Sequence, residues 1–199
     1  MKKSVRFSAR TLCYAAVFVA LEIVLNRFLS INTHGWKIGF SFVPVALCAI
    51  LFGPLWAGGV NALADFMGAM LFPIGTYHPG FTVVAFITGM VYGLFLYQGG
   101  GADRLTHAPR RDAEPAAAWT ARLLGFLRIL APTLINCLIF GLLINTVWVS
   151  QLYGSRTYGG WFLYRLAEYA ILIPLHLVVL PLLPHLRLAM FKARLIDRA

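Results

Sequence analysis

Apolar residues run along this chain in long stretches, broken only briefly by polar ones. Six stretches stand out: Thr11–Phe28, Gly39–Phe52, Leu55–Phe72, Phe81–Tyr97, Leu127–Val149 and Trp161–Leu183. A membrane-spanning helix needs about 20 apolar residues, with about 17 as the lower limit. All but the second stretch meet that limit. The second is short, carries Pro44 and ends at "FGPLW", so a re-entrant segment is its alternative reading. The pattern predicts an all-α membrane protein of six transmembrane helices, forming a single domain over residues 1–199. No soluble domain remains outside these spans. The longest connection, 99–120, holds a Gly triplet, mixed charges and Ala/Pro, and reads as a flexible loop. The basic start "MKKSVRFSAR" would suit a signal peptide. The run behind it is too long for one, contains Glu22 and lacks an A-x-A-like cleavage site. It is read as a retained first helix.

Composition agrees. Of 199 residues, 60% are hydrophobic and 12% charged, more apolar surface than a soluble domain of this size can cover. The net charge of +10 could suggest nucleic acid, but its placement argues otherwise. With six spans both termini share one side. That side holds thirteen Lys and Arg residues: Lys2, Lys3, Arg6, Arg10, Arg104, Arg110, Arg111, Arg122, Arg128, Arg187, Lys192, Arg194 and Arg198. The other side holds four: Arg27, Lys37, Arg156 and Arg165. The positive-inside rule then puts both termini in the cytoplasm. The basic excess is topological, with contact to anionic inner-leaflet lipid as its remaining role, and nucleic acid loses its support.

This topology gives each intramembrane polar residue a depth. Glu22 lies six residues below the outer end of its span, Asp65 seven, Asn145 four. Arg165 and Glu168 lie four and seven below the outer start of the last span, and Arg27 sits at the outer mouth of the first. Seven residues are about 10 Å of helix. The charges therefore fall in the outer half or near the midplane, while Asn61, Asn136 and His176 fall in the inner half. A charge in hydrocarbon costs at least about 2.5–3.5 kcal/mol, so these groups should face a shared interior. An outward-facing ligand pocket fits best; charges that merely pair and lock helices together are the alternative. Arg165 and Glu168, i,i+3 on one helix, can pair.

The outer connections add stacking and hydrogen-bonding groups. "SINTHGWKIGF" contributes Trp36 and Lys37, "PIGTYHPGF" contributes Tyr77, His78 and Phe81, and "NTVWVSQLYGSRTYGGWFLYR" contributes Trp148. Interfacial belts enrich Trp and Tyr anyway, so the argument rests on the group rather than on any one ring. Together they suit a planar, polar, anionic small molecule. Small residues recur at i,i+4 in Ala16/Ala20, Ala64/Gly68 and Gly89/Gly93, which permits close helix approach inside the bundle or against a partner. No Walker A sequence, H-E-x-x-H or G-x-S-x-G occurs. Cys13, Cys48 and Cys137 read as buried small hydrophobes, and the five histidines show no metal spacing.

"VPVALCAILFGPLWAG", "NALADFMGAMLFPIGTYHPGFT" and "ITGMVYGLFLY", with the later "NTVWVSQLYG" and "RLAEYAILIP", resemble the substrate-binding S components of energy-coupling factor (ECF) vitamin transporters, most closely the folate type. The resemblance runs in order from Thr11 to Leu183. It implies a bacterial plasma-membrane protein, with no catalytic centre or cofactor, that captures a vitamin outside. Such a protein docks on a transmembrane coupling subunit driven by two cytoplasmic ATPases, and topples in the membrane to release its ligand inward. Ala16 and Ala20 match the first-helix alanine motif that contacts the coupling subunit. For folate or a reduced folate, Arg27, Lys37, Arg156 and Arg165 are candidate cations for the carboxylates or a pterin oxygen. Glu168 or Asp65 would receive the pterin N–H donors, and Trp36, Tyr77, Phe81 and Trp148 would stack. The predicted binding set is Arg27, Trp36, Lys37, Tyr77, His78, Phe81, Asn145, Trp148, Arg165 and Glu168. Another ligand on the same scaffold (pantothenate, niacin or a deazapurine precursor) is the second reading. A small polytopic lipid-modifying enzyme using Glu22, Asp65 or Glu168 is the third.

Overall fold

The computed structural model describes residues 9–33, 36–97, 115–154 and 157–184, and the side chains at 32, 33, 36, 115–118, 121 and 122 lie outside that description. Helix α1 spans Ala9–Arg27. Its buried positions Thr11, Ala15, Phe18, Val19, Glu22, Ile23 and Asn26 recur every three to four residues and form one stripe. Its other faces are apolar too, with Leu12, Val17, Leu21 and Val24 exposed. A helix apolar on all sides meets lipid wherever it does not meet protein. Ala16 and Ala20 lie on this exposed side. So does Cys13, which corrects its reading as a buried small hydrophobe. Its neighbours at i−1 and i+4, Leu12 and Val17, share that lipid-ward face.

The first outer connection is a hairpin rather than an irregular loop. Strands β1 (Ile31–Thr33) and β2 (Trp36–Ile38) pair antiparallel, with Asn32 opposite Lys37. Helix α2 (Phe42–Phe52) follows. Eleven residues make about 17 Å, so the α2 helix by itself covers only part of the about 30 Å of hydrocarbon. Val45, Ala46, Cys48, Ala49 and Ile50 are nearly or fully buried, so α2 is an inner helix wrapped by protein. Gly53 then turns the chain at φ 92°, a left-handed value that disfavours a side chain, and Pro54 starts the next helix.

Helices α3 (Pro54–Leu71) and α4 (Pro79–Leu96) cross closely. A Cβ on Gly89 would collide with the Ala57 carbonyl, and one on Gly93 with the Pro54 backbone. The Gly89/Gly93 pair thus serves packing within the bundle. Lipid tails are as apolar as a protein interior, so such close van der Waals contact does much of what water exclusion does in a soluble core.

Helix α5 (Pro115–Leu134) runs on through a π-helical stretch (Ile135–Ile144) into α6 (Asn145–Tyr153). The expected loop over 99–120 is therefore helical from Pro115 onward, and its earlier part lies outside the described residues. Proline at the first helical position followed by "AAAW" accounts for the early start. At the other end, "NTVWVSQLY" is helix rather than connection, because no breaker occurs before Gly154, which caps α6 at φ 55°. Pro132 lacks the N–H for the Arg128 carbonyl, and the pitch widens soon after it. Helix α7 (Tyr158–Val179) ends in a 3-10 turn, Leu180–Leu182.

Six helical segments are thus present among the described residues, counting α5 through α6 as one. By length and composition four of them can cross a membrane: α1, α4, residues 123–153 and residues 158–182. α3 has the length, at 18 residues, but its glycines, Asn61 and Asp65 dilute its apolar character. Two buried apolar clusters form. One joins α1 to α4 with Ile129 and the end of α7; the other joins Cys137, Leu142, Tyr169 and Leu172.

Candidate ligand-binding site

A cavity of about 420 Å³ opens where the two clusters meet, lined from α1, the hairpin, α2, α3, α4, the π-helical stretch, α6 and α7. That volume suits a vitamin-sized molecule. The π-helical stretch brings Asn136, Cys137 and Gly141 to the wall, with Asn145 just beyond it at the start of α6. Spacings of four and five residues share a face there, because the backbone bonds i to i+5. Gly141 is what admits the Tyr169 ring, whose atoms would overlap any Cβ at that position.

Arg165 and Glu168 form one wall and are largely self-satisfied. Arg165 is 6% exposed and Glu168 2%. Arg165 Nε donates to Glu168 Oε2 at 3.2 Å, Nη1 to Thr146 Oγ1 at 3.1 Å and Nη2 to the Tyr169 hydroxyl at 2.9 Å. The guanidinium also lies 5.5 Å from the Tyr169 ring centroid. Glu168 Oε1 accepts the Lys37 backbone N–H at 3.0 Å, which ties the hairpin to α7. Asp65 is held as well: its Oδ2 accepts the Thr82 hydroxyl at 2.7 Å, and Thr82 is 2.9 Å from the Tyr77 hydroxyl. The carboxylate in the apolar run of α3 thus fastens α3 to α4 while still lining the cavity.

Other polar groups of the lining differ. Asn26 Nδ2 donates to Glu22 Oε1 at 2.7 Å. Glu22 Oε2, Asn26 Oδ1, Arg27 Nε, Asn136 Oδ1 and Asn145 Oδ1 are buried with no hydrogen-bond partner among the described residues. All five residues line the cavity. Buried polar atoms are nearly always paired, so unpaired ones around a cavity point to a ligand or to water. Lys37 also faces the cavity. Desolvation, with help from the neighbouring Arg27 charge, lowers its pKa to about 8.

Seven of the predicted binding residues therefore meet at one cavity: Arg27, Lys37, Tyr77, Phe81, Asn145, Arg165 and Glu168. His78 and Trp148 do not line it. They stack on each other at 4.6 Å, and His78 Nδ1 caps α4 by accepting the Gly80 N–H at 3.0 Å. Trp36 belongs to β2, and its side chain lies outside the described residues, as does all of Arg156. The cavity also reaches Asn61, Asn136 and His176, which depth had set apart from the charged layer. His176 stacks on Phe42 at 3.7 Å. Glu22 and Asn26 were absent from the predicted set. Their signal was visible: two polar residues at i,i+4 on an otherwise apolar helix face.

A bundle with lipid-ward apolar faces around a polar, vitamin-sized cavity defines a small-molecule-binding membrane protein. The chain belongs to the S components of ECF-type transporters. The family model of the ECF-type riboflavin transporter S component matches residues 6–149. The folate transporter FolT of Clostridium novyi is 36% identical over 167 residues, which cover 84% of this chain and 83% of that protein. FolT of Leuconostoc mesenteroides is 32% identical over 93 residues, 47% of this chain and 50% of that protein. A crystal structure of FolT bound with folic acid matches with a TM-score of 0.72, covering 89% of this chain and 94% of that one at 27% identity.

Proposed function

We propose that this S component binds folate or a reduced folate at the outer face of the plasma membrane and delivers it inward. Delivery occurs when the chain is docked on an ECF module of one transmembrane coupling subunit and two ATPases. The observation that carries the reading is the cavity's ring of unpaired buried polar atoms, in a chain 36% identical to a folate transporter. Folate needs cations for its two carboxylates and flat apolar surfaces for its rings. Arg27 and Lys37 supply the first, and Tyr77 and Phe81 the second. Both termini are cytoplasmic by the distribution of Lys and Arg, so the wall of charges lies toward the outside. The exposed Ala16/Ala20 face of α1 is smooth enough for a partner helix.

Equilibrium binding to the purified protein tests the ligand. Folic acid or 5-formyl-tetrahydrofolate should bind at micromolar concentration or below. Failure of folate, its formyl form and pterin alike would reject the assignment. A second reading keeps the scaffold and changes the vitamin, since the matching family model carries riboflavin in its name. Riboflavin belongs in the same titration, together with pantothenate and niacin.

A further inference from the structure

We infer that Glu22 and Asn26 form the subsite that receives the ligand's N–H donor edge, and that this pair sets the vitamin's chemical class. The inference rests on the folate reading above and deepens it. Glu168 and Asp65 are the other carboxylates on the cavity wall; Glu168 has both oxygens engaged, and Asp65 has one. Glu168 accepts from Arg165 and from the Lys37 backbone, and Asp65 accepts from Thr82. Glu22 accepts one bond among the described residues, from Asn26, and its second oxygen is buried without a partner there.

The geometry is specific. Glu22 is 2% exposed and Asn26 6%. The bond from Asn26 Nδ2 to Glu22 Oε1 fixes which way each side chain is turned. It leaves Glu22 Oε2 and Asn26 Oδ1, both acceptors, buried without partners in residues that line the cavity. One helical turn separates the two residues, so both act from the same face of α1. What completes such a pair is a ligand edge with two neighbouring donors. A pterin has one: a ring N–H beside an exocyclic amino group. The flavin edge offers a single N–H between two carbonyls, which would set oxygen against oxygen here. An acceptor pair therefore favours the pterin and rejects the flavin, as a site built for hydrogen bonds rejects analogues that cannot make them.

The test is calorimetric titration of the purified full chain with three probes: folic acid, riboflavin, and the folic acid analogue whose ring amino group is replaced by methyl. The wild type should bind folic acid, bind the methyl analogue about 10- to 100-fold more weakly, and show no riboflavin binding. Glu22→Gln should weaken folic acid by about the same factor yet change the methyl analogue's affinity less than about threefold. Equal weakening of both ligands by Glu22→Gln would give Glu22 a structural role and overturn the inference. So would equal affinity of the wild type for folic acid and the methyl analogue, a comparison that needs no variant to fold. If the wild type binds no folate at all, the proposed function itself fails. Folate binding that is insensitive to Glu22→Gln leaves that function standing and removes only the subsite.

Discussion

Replacing Glu168 with alanine should destabilise the ligand-free protein through a buried guanidinium left without its counter-charge. Arg165 is buried and hydrogen-bonded on three sides, and Glu168 is its ion-pair partner at 3.2 Å. Removing one member of a buried pair costs about 3–5 kcal/mol, because the remaining charge is left uncompensated. Thr146 and Tyr169 still hold two of its nitrogens, and the cavity admits water, so the lower end, about 3 kcal/mol, is expected here. Glu168 also anchors the hairpin through the Lys37 N–H. That loss adds about 1 kcal/mol, present in every variant lacking the carboxylate. Removing both charges, as in Arg165→Met with Glu168→Ala, should recover most of the pair's cost, since apolar replacements of buried pairs are often neutral. The assay is a double-mutant cycle by denaturant titration in detergent micelles. A coupling of about 2 kcal/mol or more is the expected result. Additive effects, with coupling below about 0.5 kcal/mol, would refute the buried-pair account.

Other consequences follow from the same contacts. Lys37 carries its charge below pH about 8, so affinity for an anionic ligand should fall as pH rises through that value. Lys37→Met should flatten the profile, and an unchanged pH dependence would separate Lys37 from the ligand's anionic end. Because its pKa is lowered on folding, neutralising Lys37 relieves a burial cost. Stability of the free protein should therefore rise, not fall, between pH about 8 and the ordinary lysine value of about 10.4. Thr82→Val removes the donor to Asp65 and should cost about 1–3 kcal/mol in the same titration; no loss would mean that α3 and α4 do not depend on that bond. Ala16→Trp or Ala20→Trp should abolish folate uptake in cells that carry the ECF module while leaving binding by the isolated protein intact. Lost binding would place that face inside the bundle.

Much of the helical layout was legible because apolar runs in a membrane chain have few alternatives. Where the reading failed, specific physics intervened. The loop before residue 127 contains "PAAAW", whose helix preference outweighed its distance from the apolar run. The aromatic connection after residue 145 kept helix because nothing in it breaks helix before Gly154. The shortness of α2 is plain in the sequence, and its near-complete burial shows how so short a helix is kept from lipid. The π-helical stretch has no signature beyond Pro132 nearby, yet it decides which of Asn136, Gly141 and Asn145 reach the cavity. At the site, residue type identified the polar set but could not tell paired groups from unpaired ones. Arg165 and Glu168 look like the natural ligand contacts in sequence. In space they satisfy each other, and the vacant acceptors include those of Glu22 and Asn26.

The most direct measurement is mass spectrometry of the small molecule that co-purifies with the protein from cells grown without added vitamin. A folate species at close to one per chain is the expected result. A different vitamin at that ratio would contradict the folate assignment outright.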